Sequence, residues 1–179
     1  MSTLKEALAA YQAKSIAKKT DEQNAIMANA TQALIDANIE ANALKVGDTI
    51  PGFSLPNAKG ENTNSNALLE QGPLVIAFYR GGWCPYCNLE LRALQQLLPE
   101  FEKVGAQLVA ISPQTPDNSL STQEKNELSF EVLSDVGNNI ARKFGLLFTM
   151  PTDLQQLYAH FNLDIPKHNG DQTFELPMW

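Results

Sequence analysis

Two cysteines, Cys84 and Cys87, are the residues of this sequence whose type and spacing offer the clearest chemistry. The chain has no other cysteine, and Pro85 and Tyr86 stand between the two. In a reducing compartment, a pair at this spacing is more often redox-active or metal-binding than a structural disulfide. One helical turn brings two such sulfurs close enough to form a small disulfide and to resolve a mixed disulfide.

The surroundings of Cys84 favour the redox interpretation. Residues 73–79 form a nearly continuous apolar run, which is typical of a buried parallel strand. Cys84 follows this run and opens a helical pattern, where free N–H groups and the helix dipole stabilise a thiolate. Pro85 suits the first helical position because it has no N–H to satisfy. Arg80 adds positive charge nearby.

Two alternatives for the cysteine pair stay open. A zinc site would need both histidines, but seven residues separate His160 from His168, outside the usual finger spacing of about 3–5. Inert buried cysteines are the second alternative, which the polar, glycine-rich approach to Cys84 disfavours. Trp83 fits two roles equally well, contact with the sulfur or a substrate protein and packing in the core. We expect no metal and no cofactor.

The elements that position the pair indicate an α/β fold with parallel strands. A helix is predicted from Cys84 or Pro85 to about Lys103, and Pro99 is expected to kink or divide it. Further elements alternate along the chain: a strand at 107–111, a helix at 116–127, a strand at 130–133, a short helix ending at 144 and a helix at 152–161. This alternation favours right-handed crossovers between parallel strands.

Residues 1–45 differ from the rest of the chain. They are rich in Ala, Asn, Lys and Gln, and they contain no Gly or Pro. Thr3 with Glu6 and Thr20 with Gln23 fit capping boxes, so two helices are predicted. We expect a helical extension that packs on the main domain, residues 46–179, or on another subunit.

The stretch of residues 50–144 resembles the alkyl hydroperoxide reductase and thiol-specific antioxidant group, the peroxiredoxin branch of the thioredoxin superfamily. Four segments carry the resemblance, namely 51–56 (Pro-Gly-Phe-Ser-Leu-Pro), 75–87 (Val-Ile-Ala-Phe-Tyr through Gly-Gly-Trp-Cys-Pro-Tyr-Cys), 109–112 (Val-Ala-Ile-Ser) and 130–145 (Phe-Glu-Val-Leu-Ser-Asp through Ile-Ala-Arg-Lys-Phe-Gly). The resemblance implies a thioredoxin-like sheet with flanking helices, to which this chain adds its N-terminal helical extension.

The resemblance assigns roles within the loop. In peroxiredoxins the loop reads Pro-x-x-x-Thr-x-x-Cys, and its cysteine attacks peroxide. Cys87 takes the place of that cysteine, Cys84 that of the threonine and Arg80 that of the proline. Cys84 also matches the attacking cysteine of thioredoxin, while Pro85-Tyr86 is the dipeptide found in glutaredoxins. The loop is thus intermediate between a peroxidase and a disulfide reductase.

Three functions follow. The first is an antioxidant peroxidase, in which Cys87 becomes a sulfenic acid, Cys84 condenses with it, and a thioredoxin- or glutaredoxin-like dithiol protein regenerates the pair. The second is a thiol–disulfide oxidoreductase, in which Cys84 attacks a protein disulfide and Cys87 resolves it. The third is a redox-inactive relic or a metal-binding module. In the first two, the residues expected to support the pair are Arg80, Trp83, Pro85 and Tyr86.

Net charge and hydropathy argue against two classes of partner, nucleic acids and membranes. The net charge of -7 argues against nucleic acid, because phosphate binding needs a basic face. No apolar run approaches the roughly 20 residues that span a bilayer, and the N-terminus lacks a signal-peptide pattern. We therefore predict a cytoplasmic protein with no membrane partner.

The C-terminal residues suggest a further expectation. In relatives, a segment like 176–178 is followed by another strand beside the active-site strand, whereas this sequence stops at Trp179. We expect the strand at 74–79 to keep an unpaired edge, which is an association hazard. A homo-oligomer formed through that edge or through the N-terminal helices is the predicted outcome.

Overall fold

The computed structural model describes residues 3–178, so Trp179 lies outside the described residues. The α-helices are α1 (Leu4–Ala17), α2 (Asp21–Asp36), α3 (Ser65–Leu69), α4 (Pro85–Lys103), α5 (Pro116–Lys125), α6 (Asn139–Lys143), α7 (Thr152–His160) and α8 (Ile165–Asn169). The strands are β1 (Ser54–Pro56), β2 (Asn62–Asn64), β3 (Leu74–Phe78), β4 (Gln107–Ser112), β5 (Glu131–Ser134), β6 (Leu147–Thr149) and β7 (Glu175–Pro177). A short 3-10 turn, Ile39–Asn42, follows α2.

Both N-terminal helices begin at the predicted capping boxes. The Thr3 hydroxyl accepts the N–H of Glu6, while the Glu6 carboxylate accepts the N–H of Thr3 at 2.8 Å. Thr20 and Gln23 make the same reciprocal pair at the start of α2. Side-chain capping satisfies N–H groups that lack an intrahelical partner, which explains why these helices start where the sequence indicates.

The central sheet is parallel, as predicted. Its order is β3-β4-β5, with Leu74 opposite Gln107 and Val109 opposite Glu131. Two antiparallel pairs, β1-β2 and β6-β7, flank it, and an isolated bridge from Asn57 to Leu133 joins the first pair to β5. Mixed α/β layers of this kind match the predicted thioredoxin-like fold.

The far edge of β3 carries no partner strand within residues 3–178. The strand residues from Leu74 to Ala77 are nevertheless half-buried rather than open to water. The unpaired edge that the sequence predicts is therefore present among the described residues. Association of two copies along it, or through the N-terminal helices, stays a prediction.

Both faces of the central sheet are buried. Successive β4 residues alternate between two apolar clusters, with Val109 and Ile111 in one and Leu108 and Ala110 in the other. This two-residue period is that of a strand covered on both sides. The second of these clusters, which we call the thiol cluster, contains Tyr79, Cys84, Cys87 and Leu91 together with Leu108, Ala110, Leu128, Phe130 and Val132. The cysteines thus belong to the core.

A third cluster joins α2 to elements in the second half of the chain. We call it the docking cluster, and its buried members are Ala30, Phe148, Met150, Leu154, Leu157, Ile165 and Leu176. Ala30 comes from α2, and the others come from β6, α7, α8, β7 and the loop after β6. Apolar burial therefore holds α2 against the second half of the chain.

Pro99 was expected to kink or divide α4, and the expectation that it divides the helix is wrong. One continuous helix of 19 residues runs through the proline. Proline removes one N–H from the helical hydrogen-bond ladder, and that local loss is offset because Leu91, Leu94 and Leu98 pack against the thiol cluster. Among the helices of residues 3–178, none is long and apolar enough to cross a membrane.

Candidate active site

Cys84 lies at the junction between the central sheet and α4. It is the N-cap residue, with an extended backbone, and Pro85 occupies the first helical position as predicted. The Cys87 N–H donates to the Cys84 sulfur at 3.4 Å, in place of the hydroxyl that commonly caps a helix. The sulfur therefore sits where unpaired N–H groups and the helix dipole favour negative charge.

The environment activates the Cys84 thiol. A hydrogen bond from the Cys87 side chain, supported by the N–H groups of Cys87 and Tyr86 and by the charge of Arg80, lowers the pKa of Cys84 to about 7, although burial opposes the shift. A thiol with that pKa is largely ionised near neutral pH, and only the thiolate is a strong nucleophile. The role of Arg80 as a supporting residue stays a prediction, and its place among the causes of the lowered pKa is consistent with it.

Cys87 has the opposite character. It is 0% exposed, whereas Cys84 is 4% exposed, and both are free thiols. Burial raises the pKa of Cys87, and the neighbouring Cys84 raises it further. A buried thiol beside a thiolate keeps its proton and can donate a hydrogen bond to it. The pair is therefore asymmetric, with Cys84 as the more acidic partner.

The loop before Cys84 depends on two glycines. Gly81 has a φ of 149°, and a Cβ there would collide with the indole of Trp83. A Cβ on Gly82 would collide with the Thr122 hydroxyl. Glycine at both positions lets the backbone approach its neighbours closely.

Arg80 is held at the start of this loop. Its guanidinium carbon lies 5.0 Å from the centre of the Phe148 ring, a cation–π contact. The Nε atom of Arg80 is buried without a hydrogen-bond partner. Arg80 and Tyr158 also line a cavity of about 80 Å³, and its other lining residues come from α2, β6, α7, β7 and the loop after β6. The cavity adjoins the loop that carries the thiols.

Aromatic side chains cover the cysteine pair. Tyr86, between the two cysteines, meets Tyr11 of α1 edge-on, with ring centres 5.0 Å apart. Trp83 meets Tyr158 of α7 edge-on at 6.0 Å. Trp83 packs against both the thiol cluster and the docking cluster, so it acts as core and as cover at once. The low exposure of Cys84 follows from this arrangement.

All the site residues proposed from the sequence lie in one loop and helix start, but their partners come from elsewhere. Tyr11, Phe148 and Tyr158 are distant in sequence, and no local pattern marked them. Within the described part of the chain, no group of three or more His, Cys, Asp or Glu side chains is arranged to hold a metal ion.

Comparison with known proteins finds a matching family and several similar sequences. A sequence profile of the AhpC/TSA family matches residues 46–164. Peroxiredoxin Bcp of Escherichia coli K12 is 34% identical over 105 residues, which make up 59% of this chain and 67% of that protein.

Two solved structures extend the comparison. Peroxidoxin BcpB from Mycobacterium tuberculosis superposes with a TM-score of 0.58 at 31% identity, covering 60% of this chain and 70% of that one. Peroxiredoxin Q of Xanthomonas campestris gives a TM-score of 0.50 at 29% identity, covering 54% of this chain and 60% of that one. Helices α1 and α2 lie outside the residues that the family profile matches.

Proposed function

Because the chain belongs to the AhpC/TSA family of peroxiredoxins, which are oxidoreductases, we propose that it is a thiol-dependent peroxidase acting through Cys84 and Cys87. The observation that carries this proposal is the capped, acidic thiol of Cys84 with a second thiol one helical turn away. A peroxidase of this type needs one thiolate to attack and one thiol to resolve, and the pair offers both.

The proposed reaction has two steps. The Cys84 thiolate attacks one peroxide oxygen, the O–O bond breaks, and the alkoxide or hydroxide takes a proton and leaves, so Cys84 becomes a sulfenic acid. Cys87 then attacks the sulfenic sulfur, water leaves, and a Cys84–Cys87 disulfide forms. Two electrons pass from the pair to the peroxide, and a dithiol protein of thioredoxin or glutaredoxin type restores both thiols by exchange.

Cys84 is our choice for the attacking sulfur, although the resemblance to the family's loop assigns attack to Cys87. Complete burial and a raised pKa disfavour attack by Cys87. The N-cap position and the charge of Arg80 favour the Cys84 thiolate. The family assignment of Cys87 stays a prediction, and single-cysteine variants distinguish the two.

The test is the second-order rate of the reduced protein with hydrogen peroxide, measured for the parent, Cys84→Ser and Cys87→Ser. We expect the parent to react far faster than a free thiolate. Cys87→Ser should still react once and accumulate a sulfenic acid that a dimedone probe traps, whereas Cys84→Ser should be slow. The reverse pattern would assign attack to Cys87, and a parent rate like that of a simple thiol would refute the peroxidase.

Thiol–disulfide exchange is the second candidate, favoured by the asymmetry of the pair. An acidic first cysteine at a helix start, followed by a buried second cysteine of raised pKa, is the arrangement that attack on a disulfide requires. If this candidate is right, the reduced protein cleaves a peptide disulfide rapidly while peroxide reacts slowly. The cytoplasmic location predicted from the sequence stays a prediction under both candidates.

A further inference from the structure

Two side chains clamp the peptide groups of Gly82, two residues before Cys84. The Gly82 N–H donates to Gln114 Oε1 at 2.6 Å. The Gly82 carbonyl accepts from Asn88 Nδ2 at 2.8 Å. Gln114 follows β4 and Asn88 lies in the first turns of α4, so the loop is held from two elements at once.

The two clamping side chains are themselves fixed in a buried polar network. Gln114 is 2% exposed and lies 3.3 Å from the Thr122 hydroxyl through its Oε1 atom. Asn88 is 6% exposed and accepts from Asn126 Nδ2 at 2.9 Å. Arg92 donates to Asn126 Oδ1 at 2.7 Å, which ties the network to the surface of α4. Buried amides with satisfied partners hold a defined orientation.

The glycine at position 82 is what lets this network reach the backbone. The Thr122 side chain occupies the space that a Cβ on residue 82 would need, so α5 packs directly against the loop. The peptide group before Gly82 is held through its N–H and the peptide group after it through its carbonyl. Because Gly82 is also packed against α5, its backbone has little freedom to rotate. The fixed backbone of Gly82 therefore sets the direction in which the chain continues into Trp83 and Cys84.

We propose that Gln114 and Asn88 are positioning residues, which hold the Gly82 peptide so that the Cys84 sulfur stays at the N-cap of α4. This inference rests on the proposed function, because it assumes that Cys84 is the attacking sulfur. Neither side chain touches the reacting atoms. Their effect passes through the backbone, and its signature is the acidity of Cys84 rather than the stability of the fold alone.

The test uses a Cys87→Ser background, where Cys84 is the sole thiol, with Gln114→Met and Asn88→Leu as variants. Each removes a hydrogen-bonding group while nearly keeping the side chain's shape. Without the clamp, the Cys84 sulfur should leave the N–H groups that stabilise its charge. The pH profile of iodoacetamide alkylation should then shift upward by about one unit, leaving roughly fivefold less thiolate at pH 7.

Gln95→Met is the matched control. Gln95 is also a glutamine that accepts a backbone N–H, from Ser129 at 2.7 Å, but it lies on α4 away from the loop. We expect this control to lower the free energy of unfolding without moving the alkylation profile. If Gln114→Met and Asn88→Leu behave in the same way as Gln95→Met, the network is only structural and the inference is wrong.

A measurement on the unsubstituted protein guards against variants that fail to fold. The Gly82 amide should exchange its hydrogen slowly despite its place in a half-buried loop, because Gln114 holds it. If the Gly82 amide instead exchanges at the rate of an unstructured amide, the positioning role of Gln114 is wrong. That result would leave the assignment of Cys84 as the attacking sulfur unaffected. An ordinary alkylation profile for the Cys87→Ser parent would instead overturn the assignment of Cys84, and the inference with it.

Discussion

The cysteines differ chemically although only two residues separate them. Cys84 ends the loop and receives the N–H of Cys87, so its charge is stabilised by the helix start. Cys87 lies inside the helix and is fully buried in the thiol cluster. Desolvation disfavours charge on a thiol, and a thiolate next door disfavours it again. The two cysteines look equivalent in the sequence, and their different positions in the fold make Cys84 the more acidic of the two.

This asymmetry predicts two distinct pH profiles for alkylation. In Cys87→Ser, where the serine hydroxyl can still donate to Cys84, the alkylation profile should lie on the acid side of an ordinary thiol, because the N–H groups at the helix start and the charge of Arg80 remain. In Cys84→Ser, the profile of Cys87 should lie on the alkaline side of an ordinary thiol, because burial raises its pKa. Rates of iodoacetamide alkylation from pH 5 to pH 10 measure both, and coincident profiles would contradict the assignment.

At the residue scale, sequence patterns indicated the cysteine pair and its neighbours in the loop, but not the amide side chains that bond the loop from other elements. Cys84, Cys87 and Arg80 stand within eight residues, so strand and helix patterns were enough to bring them together. Gln114 meets Gly82 across 32 residues, and no local periodicity connects them. An amide side chain in a polar loop has no distinctive signal, because its role depends on which backbone group the fold brings to it.

Among the elements, those with strong patterning were predicted, whereas some of the short ones were missed. The sheet β3-β4-β5 and helix α4 have apolar runs or faces long enough to reveal a period. Strands β2, β6 and β7 have three residues each, too few to show alternation. Helix α8 has five residues and was missed, whereas α6, of the same length, was predicted because Gly145 marks its end. Such elements form because tertiary contacts place them.

Helix α1 contacts the loop of the candidate active site, although it buries none of its residues fully. Its contact with the thiol loop is made by Tyr11 on Tyr86, and Ser15 lies beside the Tyr86 hydroxyl. A helix with so little buried surface opens readily. We therefore expect α1 to limit how large a molecule can reach Cys84.

Replacing Tyr11 with alanine tests this expectation. An aromatic pair contributes about 0.5–1.5 kcal/mol, so its loss should favour opening and speed the reaction of Cys84 with a bulky aromatic disulfide roughly two- to tenfold. Ile16→Ala, which trims a side chain that is 51% exposed on the same helix, is the control and should leave the rate unchanged. Equal rates for Tyr11→Ala and the parent would show that α1 does not restrict access.

At the scale of the whole molecule, Trp83 connects the candidate active site with the cluster that contains α2, which is far from it in sequence. It packs against the thiol cluster on one side and the docking cluster on the other. The docking cluster includes Ala30 of α2, so α2 shares a core with β6, α7, α8 and β7. The division into a helical extension, residues 1–45, and a thioredoxin-like domain, residues 46–179, was predicted from composition and stays a prediction. The shared core suggests that the two parts unfold together.

Leu154→Ala tests that cooperativity. Leu154 is 9% exposed in the docking cluster, and truncating a buried leucine costs about 2–4 kcal/mol in the free energy of unfolding. Urea unfolding should be followed both by far-ultraviolet circular dichroism and by alkylation of Cys87, which is buried in the other cluster. If the clusters form one unit, both signals shift to lower urea by the same amount.

Leu97→Ala provides the matched comparison, because Leu97 is 50% exposed on α4 and its truncation should change the free energy of unfolding by at most about 0.5 kcal/mol. A Leu154→Ala protein that loses helical signal before Cys87 becomes reactive would contradict a single unit. It would mean that the docking cluster unfolds first, and that the covering helices can leave while the thiol cluster stays intact. Coincident transitions would instead mean that opening at the site is limited to local motion of α1.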